Sequence, residues 1–286
     1  MKNAFLASEF KPVPAKAAAF HVIPAPMELS VSYGLGARRG PQAILGASQQ
    51  LEACDGEGRA SAANIHTQKP VSPRLKKPGA WVDAIQARVA QALDCGAVPV
   101  VLGGEHTVTL GAARAFHAAG AEIGFIQFDA HADLRDTYEG SPLSHACVMR
   151  RVHELGFPCL QIATRAVSQE ECAYRAAHPK TLTAFDARVI ADGKMTRHFI
   201  PRRFPKQVYV TFDVDGFDPT VMPATGTPVP GGLFWYDVIR MLRRIAATRQ
   251  IVGFDVVELA PIKSLHHADF TAALLVQTLM GLTALP

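Results

Sequence analysis

The chain has 286 residues, 49% of them hydrophobic and 19% charged, with a mean hydropathy of +0.11. That balance excludes a disordered chain and leaves ample length for a buried core. The 29 Lys and Arg against 25 Asp and Glu give a formal charge of +4, too little to indicate a nucleic-acid partner; the densest basic stretch, 197–206, is short and broken by two prolines.

Short apolar runs alternate with longer helical stretches along the chain. Residues 20–23 read as a strand and 40–53 as a helix, with Pro41 suited to its first turn. Residues 54–80 read as loops and turns around one short strand. The spacing of Val82, Ile85, Val89 and Leu93 predicts a helix over 81–93. Strands follow at 98–102, 123–128, 159–163, 181–185, 208–212 and 251–257. Helices are predicted at 107–119, 145–155, 169–177, 235–247 and 268–282, with Gly120 and Gly156 placed to stop two of them. Such alternation predicts a three-layer α/β/α fold with a mostly parallel sheet. No repeat or long linker divides the chain, so residues 1–286 read as a single domain.

The uncharged stretch 270–286 contains Thr, Gln and Gly, and reads as a packed terminal helix rather than a membrane anchor. No signal peptide is legible at the N-terminus. Five cysteines without a C-x-x-C pair predict free, mostly buried thiols and a cytoplasmic location.

Ligands in open α/β sheets bind beyond the carboxyl ends of the strands. Four predicted strand ends carry acids or histidines: Glu105-His106, Asp129-x-His131-x-Asp133, Asp213-x-Asp215, and Asp255 with Glu258. On an extended strand, alternate residues point to one side. Carboxylates crowded in this way are costly unless cations neutralise them. His106, Asp129, His131, Asp133, Asp213 and Asp215 form an oxygen and nitrogen donor set without thiolate. It favours Mn²⁺, or Fe²⁺, Co²⁺ or Mg²⁺, over a structural zinc. Six donors are too many for one open catalytic ion and fit two ions sharing carboxylates. Asp213-Val214-Asp215-Gly216 also resembles an aspartyl-nucleophile phosphatase motif, but Phe217 and the late position depart from it.

Longer segments then match a family. They are Ser32-Tyr33-Gly34, Gly40-Pro41-Gln42-Ala43-Ile44, Gly103-Gly104-Glu105-His106-Thr107 and Phe128-Asp129-Ala130-His131-Ala132-Asp133. Tyr138-Glu139-Gly140, Ser144-His145-Ala146 and Phe212-Asp213-Val214-Asp215-Gly216-Phe217-Asp218-Pro219 continue the series. Pro223-Ala224-Thr225-Gly226-Thr227-Pro228, Pro230-Gly231-Gly232 and Gly253-Phe254-Asp255-Val256-Val257-Glu258 complete it. Together they resemble the ureohydrolases (arginases, agmatinases and relatives), the agmatinases most closely.

The resemblance implies an arginase-like fold, a homo-oligomer (trimer or hexamer), and a small guanidino substrate cleaved to urea and an amine. It implies two Mn²⁺ ions per chain, bridged by Asp129 and Asp213, with His106 and Asp133 completing one and His131 and Asp215 the other. His145 would shuttle a proton and Glu258 would hold the guanidinium. Glu105 replaces the commoner Asp beside the first His. Two ions lower the pKa of a bridging water, so that hydroxide is present near neutral pH to attack a poor electrophile. The stretch matching the arginases' α-amino recognition, Ala163 to Gln169, has Ala166 and Ser168 in place of two acids. Agmatine is therefore the expected substrate. A guanidino acid such as guanidinobutyrate is the alternative, with Arg135 placed to meet its carboxylate or to pair with Asp136 or Glu139. Arginine and formimino-glutamate are weaker candidates, and a non-catalytic binding relative stays open.

Overall fold

The computed structural model describes residues 4–54, 63–72 and 74–283. Part of the predicted loop region (55–62 and 73) and both chain ends (1–3 and 284–286) lie outside the described residues. Among the described residues eight strands are present: β1 Phe20–Ala25, β2 Ile65–Thr67, β3 Val98–Gly103, β4 Ile123–Phe128, β5 Cys159–Ile162, β6 Leu182–Phe185, β7 Gln207–Asp213 and β8 Gln250–Val257. They form one sheet in the order β2-β1-β3-β8-β7-β4-β5-β6. Each paired neighbour is parallel, so the sheet goes beyond the mostly parallel expectation.

Eight α-helices connect and cover these strands: α1 Gly40–Ala47, α2 Pro78–Asp94, α3 Val108–Ala118, α4 Val148–Glu154, α5 Gln169–Ala177, α6 Ala187–Ala191, α7 Trp235–Ala246 and α8 His266–Thr283. Side-chain alternation along the strands gives each face its own core. Val100, Ile126, Val210 and Phe254 pack with Ile44 of α1, Leu242 of α7 and Leu279 of α8. Val101, Phe125, Tyr209 and Val257 pack with Ile85 of α2, Phe116 of α3 and Val152 of α4. Burying each such side chain contributes roughly 1.5–3 kcal/mol. Helices on both faces make the three-layer arrangement and explain why the strands read as continuous apolar runs.

Three elements depart from the sequence reading. The helix predicted over 40–53 ends at Ala47, and a 3₁₀ turn, Ser48–Gln50, follows. Ser48 Oγ donates to Leu45 O at 2.8 Å and accepts from Leu6 N at 3.0 Å. Leu51 is then extended and buried. Local hydroxyl bonding of this kind competes with helix continuation. The helix predicted over 145–155 divides into a 3₁₀ turn, His145–Cys147, and α4. The five-residue α6 was not legible at all. The cysteines are free, but only Cys147 and Cys159 are buried, whereas Cys54 and Cys172 are exposed. The terminal stretch packs as α8, and no described helix is long and apolar enough to cross a membrane.

The chain passes from β3 to β4 across two central places that β7 and β8 later fill. That reversal brings the carboxyl ends of β3, β8, β7 and β4 side by side, where a crevice forms.

Candidate metal centre and active site

Each predicted site residue stands at one of these four strand ends or in the loop after β4. β3 ends at Gly103, and Gly104 follows. A Cβ on Gly104 would lie 1.9 Å from Met27 O, so only glycine lets the 27–30 loop close over this end. Glu105 and His106 follow. Asp129 comes directly after β4, and its N–H still donates to Ile162 O on β5 at 3.1 Å. The extended path does not persist to Asp133, which the chain reaches through a left-handed backbone at φ 54°. Asp213 is the last residue of β7, and its Oδ1 accepts from Asp215 N at 2.8 Å. Asp215 therefore sits in a 3₁₀ turn, Val214–Gly216, rather than on the strand. Glu258 follows β8, also left-handed at φ 63°. Non-glycine residues held at positive φ cluster where function over-determines the backbone.

Five of the six predicted donors converge in two groups. His106, Asp129 and Asp213 bring ligand atoms within 4.8 Å of one another, and so do Asp129, His131 and Asp215. Asp129 is common to both. Asp133 joins through His106, with Oδ2 2.9 Å from Nδ1. His131 Nδ1 lies 3.0 Å from Asp215 Oδ2.

His106 provides the sharpest test of whether cations fit here. Its Nε2 lies 2.8 Å from Thr211 Oγ1. Thr211 Oγ1 donates to Asp255 Oδ1 at 2.7 Å, and Thr109 Oγ1 donates to Asp255 Oδ2 at 2.8 Å. With its proton committed to Asp255, Thr211 accepts from Nε2–H, which leaves the Nδ1 lone pair free. Nδ1 is fully buried and has no hydrogen-bond partner among the described residues, yet it faces Asp133 and Asp129 oxygens at 2.9 and 3.1 Å. A lone pair against carboxylate oxygens is repulsive unless a proton or a metal cation stands between them; burial opposes a proton, but Asp129 and Asp133 push His106 well above its ordinary value, so the pocket demands positive charge at this point. The donor set, hard oxygens with imidazole nitrogen, is that of a divalent ion.

The protonation balance of the protein groups agrees. Burial raises the Asp129 carboxyl, but the adjacent His106 and His131 imidazoles outweigh it and hold the group well below the usual range. Burial and the charge of Asp129 push Asp133 up to about 6. Burial, Asp215 and Asp129 push Asp213 well up, and burial with Glu105 does the same to Glu258. Burial pulls His131 down, but Asp129 and Asp215 raise it to about 11. Too many acids share this space to be ionised together without added positive charge.

Above the donors lies a cavity of about 480 Å³. His131, Asp133, Asp213, Asp215, His145 and Glu258 line it, while His106 and Asp129 are fully buried behind. Glu258 Oε1 accepts from His106 N at 2.7 Å, which anchors the carboxylate beside the cluster. His145 is positioned by a chain of contacts. Ser30 Oγ donates to Glu105 Oε1 at 3.0 Å and accepts from His145 N at 3.0 Å, with His145 Nδ1 3.3 Å away. Glu105 also accepts from the Leu29 and Ser30 N–H groups. Tyr138 meets the His145 ring edge-on at 5.8 Å.

Ala166 and Ser168 line the cavity wall and present no acid to it. The Ser168 hydroxyl is engaged with Glu171 in the capping box of α5. Arg135 also lines the cavity and lies over the Tyr138 ring at 5.3 Å. It does not pair with Asp136, which Arg150 and Arg151 hold instead.

Sequence reasoning named Asp255 only as a strand-end acid and missed the support it forms beneath the donors. Asp255, Thr211, Gln127 and Gln161 are successive register partners across β8, β7, β4 and β5. All four are fully buried, and Thr211 and Gln127 lie two residues before the strand-end donors Asp213 and Asp129. Gln127 Nε2 donates to Asp129 Oδ2 at 2.7 Å, Gln161 donates to Gln127, and Arg175 Nε donates to Gln161 Oε1 at 2.8 Å. Arg165 was also missed; its guanidinium donates to the Asp215, Phe217 and Val229 carbonyls and ties three loops together. A polar residue inside an apolar strand was the available signal for the buried row.

Residues 18–282 match the model of the arginase family. The chain is 41% identical over 273 residues to an N(1)-aminopropylagmatine ureohydrolase of Synechocystis sp., covering 92% of this chain and 89% of that protein. It is 31% identical over 287 residues to an agmatinase of Pyrococcus horikoshii, covering 96% of each. Among solved structures, the agmatine ureohydrolase of Thermoplasma volcanium superposes with a TM-score of 0.81 at 27% identity, covering 98% of this chain and 94% of that one.

Proposed function

We propose a function from the premise that the family match supplies: the chain belongs to the arginase family and is a metal-dependent amidinohydrolase. Our reading is that it hydrolyses agmatine to putrescine and urea with two Mn²⁺ ions. One observation carries this reading: two donor groups sharing Asp129 sit at the floor of a cavity that Glu258 and His145 also line. His106, Asp129, His131, Asp133, Asp213 and Asp215 would hold the ions, with Asp129 common to both donor groups. When bound, the ions supply a water activated near neutral pH.

The chain's own residues do the rest. Glu258 holds the guanidinium by charge-assisted hydrogen bonds and presents its carbon to the floor. Addition of water and cleavage of the bond to the alkyl nitrogen yield urea and the free amine. His145 gives the departing nitrogen its proton. The row beneath keeps the donors oriented through Thr211 and Gln127. The unbroken sheet supports one ureohydrolase domain over the whole chain. Cytoplasmic location and a homo-oligomeric state complete the proposal.

A second substrate is favoured by the 41% identical relative, whose name specifies N(1)-aminopropylagmatine. It carries the same guanidino group on a longer polyamine. Ala166 and Ser168, in place of acids, oppose arginine. Urea release measured side by side on agmatine, N(1)-aminopropylagmatine, arginine and guanidinobutyrate tests the assignment. The two polyamine-type substrates should exceed the other two in kcat/KM by on the order of 100-fold, as differential contacts to a charged headgroup allow. Preference for arginine or guanidinobutyrate would overturn it.

A further inference from the structure

The sheet has a second opening at its other end. A cavity of about 590 Å³ lies where the chain enters β7 and β8, lined by Arg197, Arg202, Lys206, Arg244 and Arg249. No Asp or Glu among the described residues lines it. None of these five cations forms an ion pair among the described residues. The whole chain carries a formal charge of only +4, so this is a local concentration rather than a general basicity. Five like charges around one concavity repel one another and focus a positive potential into it.

The walls are built rather than trailing. Arg249 donates to Pro201 O at 3.1 Å and to Thr248 O at 2.8 Å, joining the 197–206 segment to the α7–β8 connection. Its Nε is shielded from solvent and has no acceptor among the described residues. Phe199 and Phe204 anchor the same segment in the core. Arg244 is in the last turn of α7, where the helix dipole accounts for one cation. That dipole is worth about half a negative charge, well short of what the remaining four require.

We propose that this cavity binds a small polyvalent anion of two or more linked phosphate groups. Guanidinium forks match phosphate oxygens in pairs, and a linked series reaches cations that one phosphate cannot span. The site is separate from the metal centre. Lys206 precedes β7 and Arg249 precedes β8, whereas Asp213 and Glu258 stand at the far ends of the same strands, roughly 20–30 Å away at the usual rise per residue.

The test is isothermal titration of the Mn²⁺-loaded chain with tripolyphosphate and, separately, with ATP, at low ionic strength and fixed free Mn²⁺. Saturable binding near one per chain is expected. It should weaken at least tenfold in an Arg202→Ala/Arg244→Ala variant and hold in Lys69→Ala, a distant exposed lysine. An Arg202→Lys/Arg244→Lys variant, which keeps the charge, should bind with intermediate affinity and guards against misfolding. Equal affinity for both probes identifies the phosphate chain as the ligand; tighter ATP binding identifies a nucleotide. Absence of saturable binding, or undiminished affinity in the Ala variant, overturns the proposal. So does displacement of tripolyphosphate by a single-stranded oligonucleotide of higher affinity, which would make this a nucleic-acid surface.

Discussion

Ser30 connects two residues that the chain places 75 and 115 positions away. Its hydroxyl proton goes to Glu105, so its lone pairs face the His145 backbone and ring. The contact favours a proton on Nδ1 and leaves Nε2 as the working nitrogen. Ser30→Ala should lower kcat by roughly tenfold, as loss of an orienting partner does. KM and bound metal should change little. An unchanged kcat with normal metal content would show that Ser30 does not orient the histidine. The donors themselves were legible because their spacing falls after apolar runs. The role of Glu105 was not, because a carboxylate beside His106 says nothing about which distant N–H groups it accepts from.

At the scale of elements, the row Asp255–Thr211–Gln127–Gln161 is where register decides function. The strands were readable from their apolar runs, but the cross-strand neighbours were not, because a parallel order with two late central strands cannot be read locally. Thr211→Val keeps the volume and removes the acceptor for His106 Nε2. It leaves two buried polar groups short of a partner, at a cost of about 1–3 kcal/mol each. Mn²⁺ affinity should fall 10- to 100-fold. Equilibrium dialysis reads this directly, and wild-type affinity would mean that the His106 tautomer is held by other means. Helix boundaries failed where side chains intervened, as at Ser48, or where a loop donor demanded a turn, as at His145.

For the whole molecule, the acid cluster couples stability to pH. The folded Asp133 carboxyl, at about 6, stands above its ordinary 3.8. Asp213 and Glu258 are displaced in the same direction. A raised acid contributes stability fully below its unfolded pKa and loses it as pH rises through the folded one. The metal-stripped chain should therefore lose thermal stability between pH 4 and 7. Metal binding needs the same carboxylates ionised, so Mn²⁺ affinity should climb by about tenfold per pH unit for each proton displaced. The Tm gap between loaded and stripped protein should widen from pH 5 to pH 8; a constant gap would disconnect these acids from the metal. The mild overall charge concealed both features of the molecule that depend on charge. One is an acid cluster at the carboxyl end of the sheet, and the other is a basic cavity at the opposite end.

The most direct measurement is urea release from agmatine while Mn²⁺ is added back to the metal-stripped chain. Activity should be absent without metal and should reach its plateau at two equivalents per chain. In Asp129→Ala, which removes the donor common to both groups, it should not recover. A plateau at one equivalent, urea release without metal, or full recovery in Asp129→Ala would contradict a centre built from two ions.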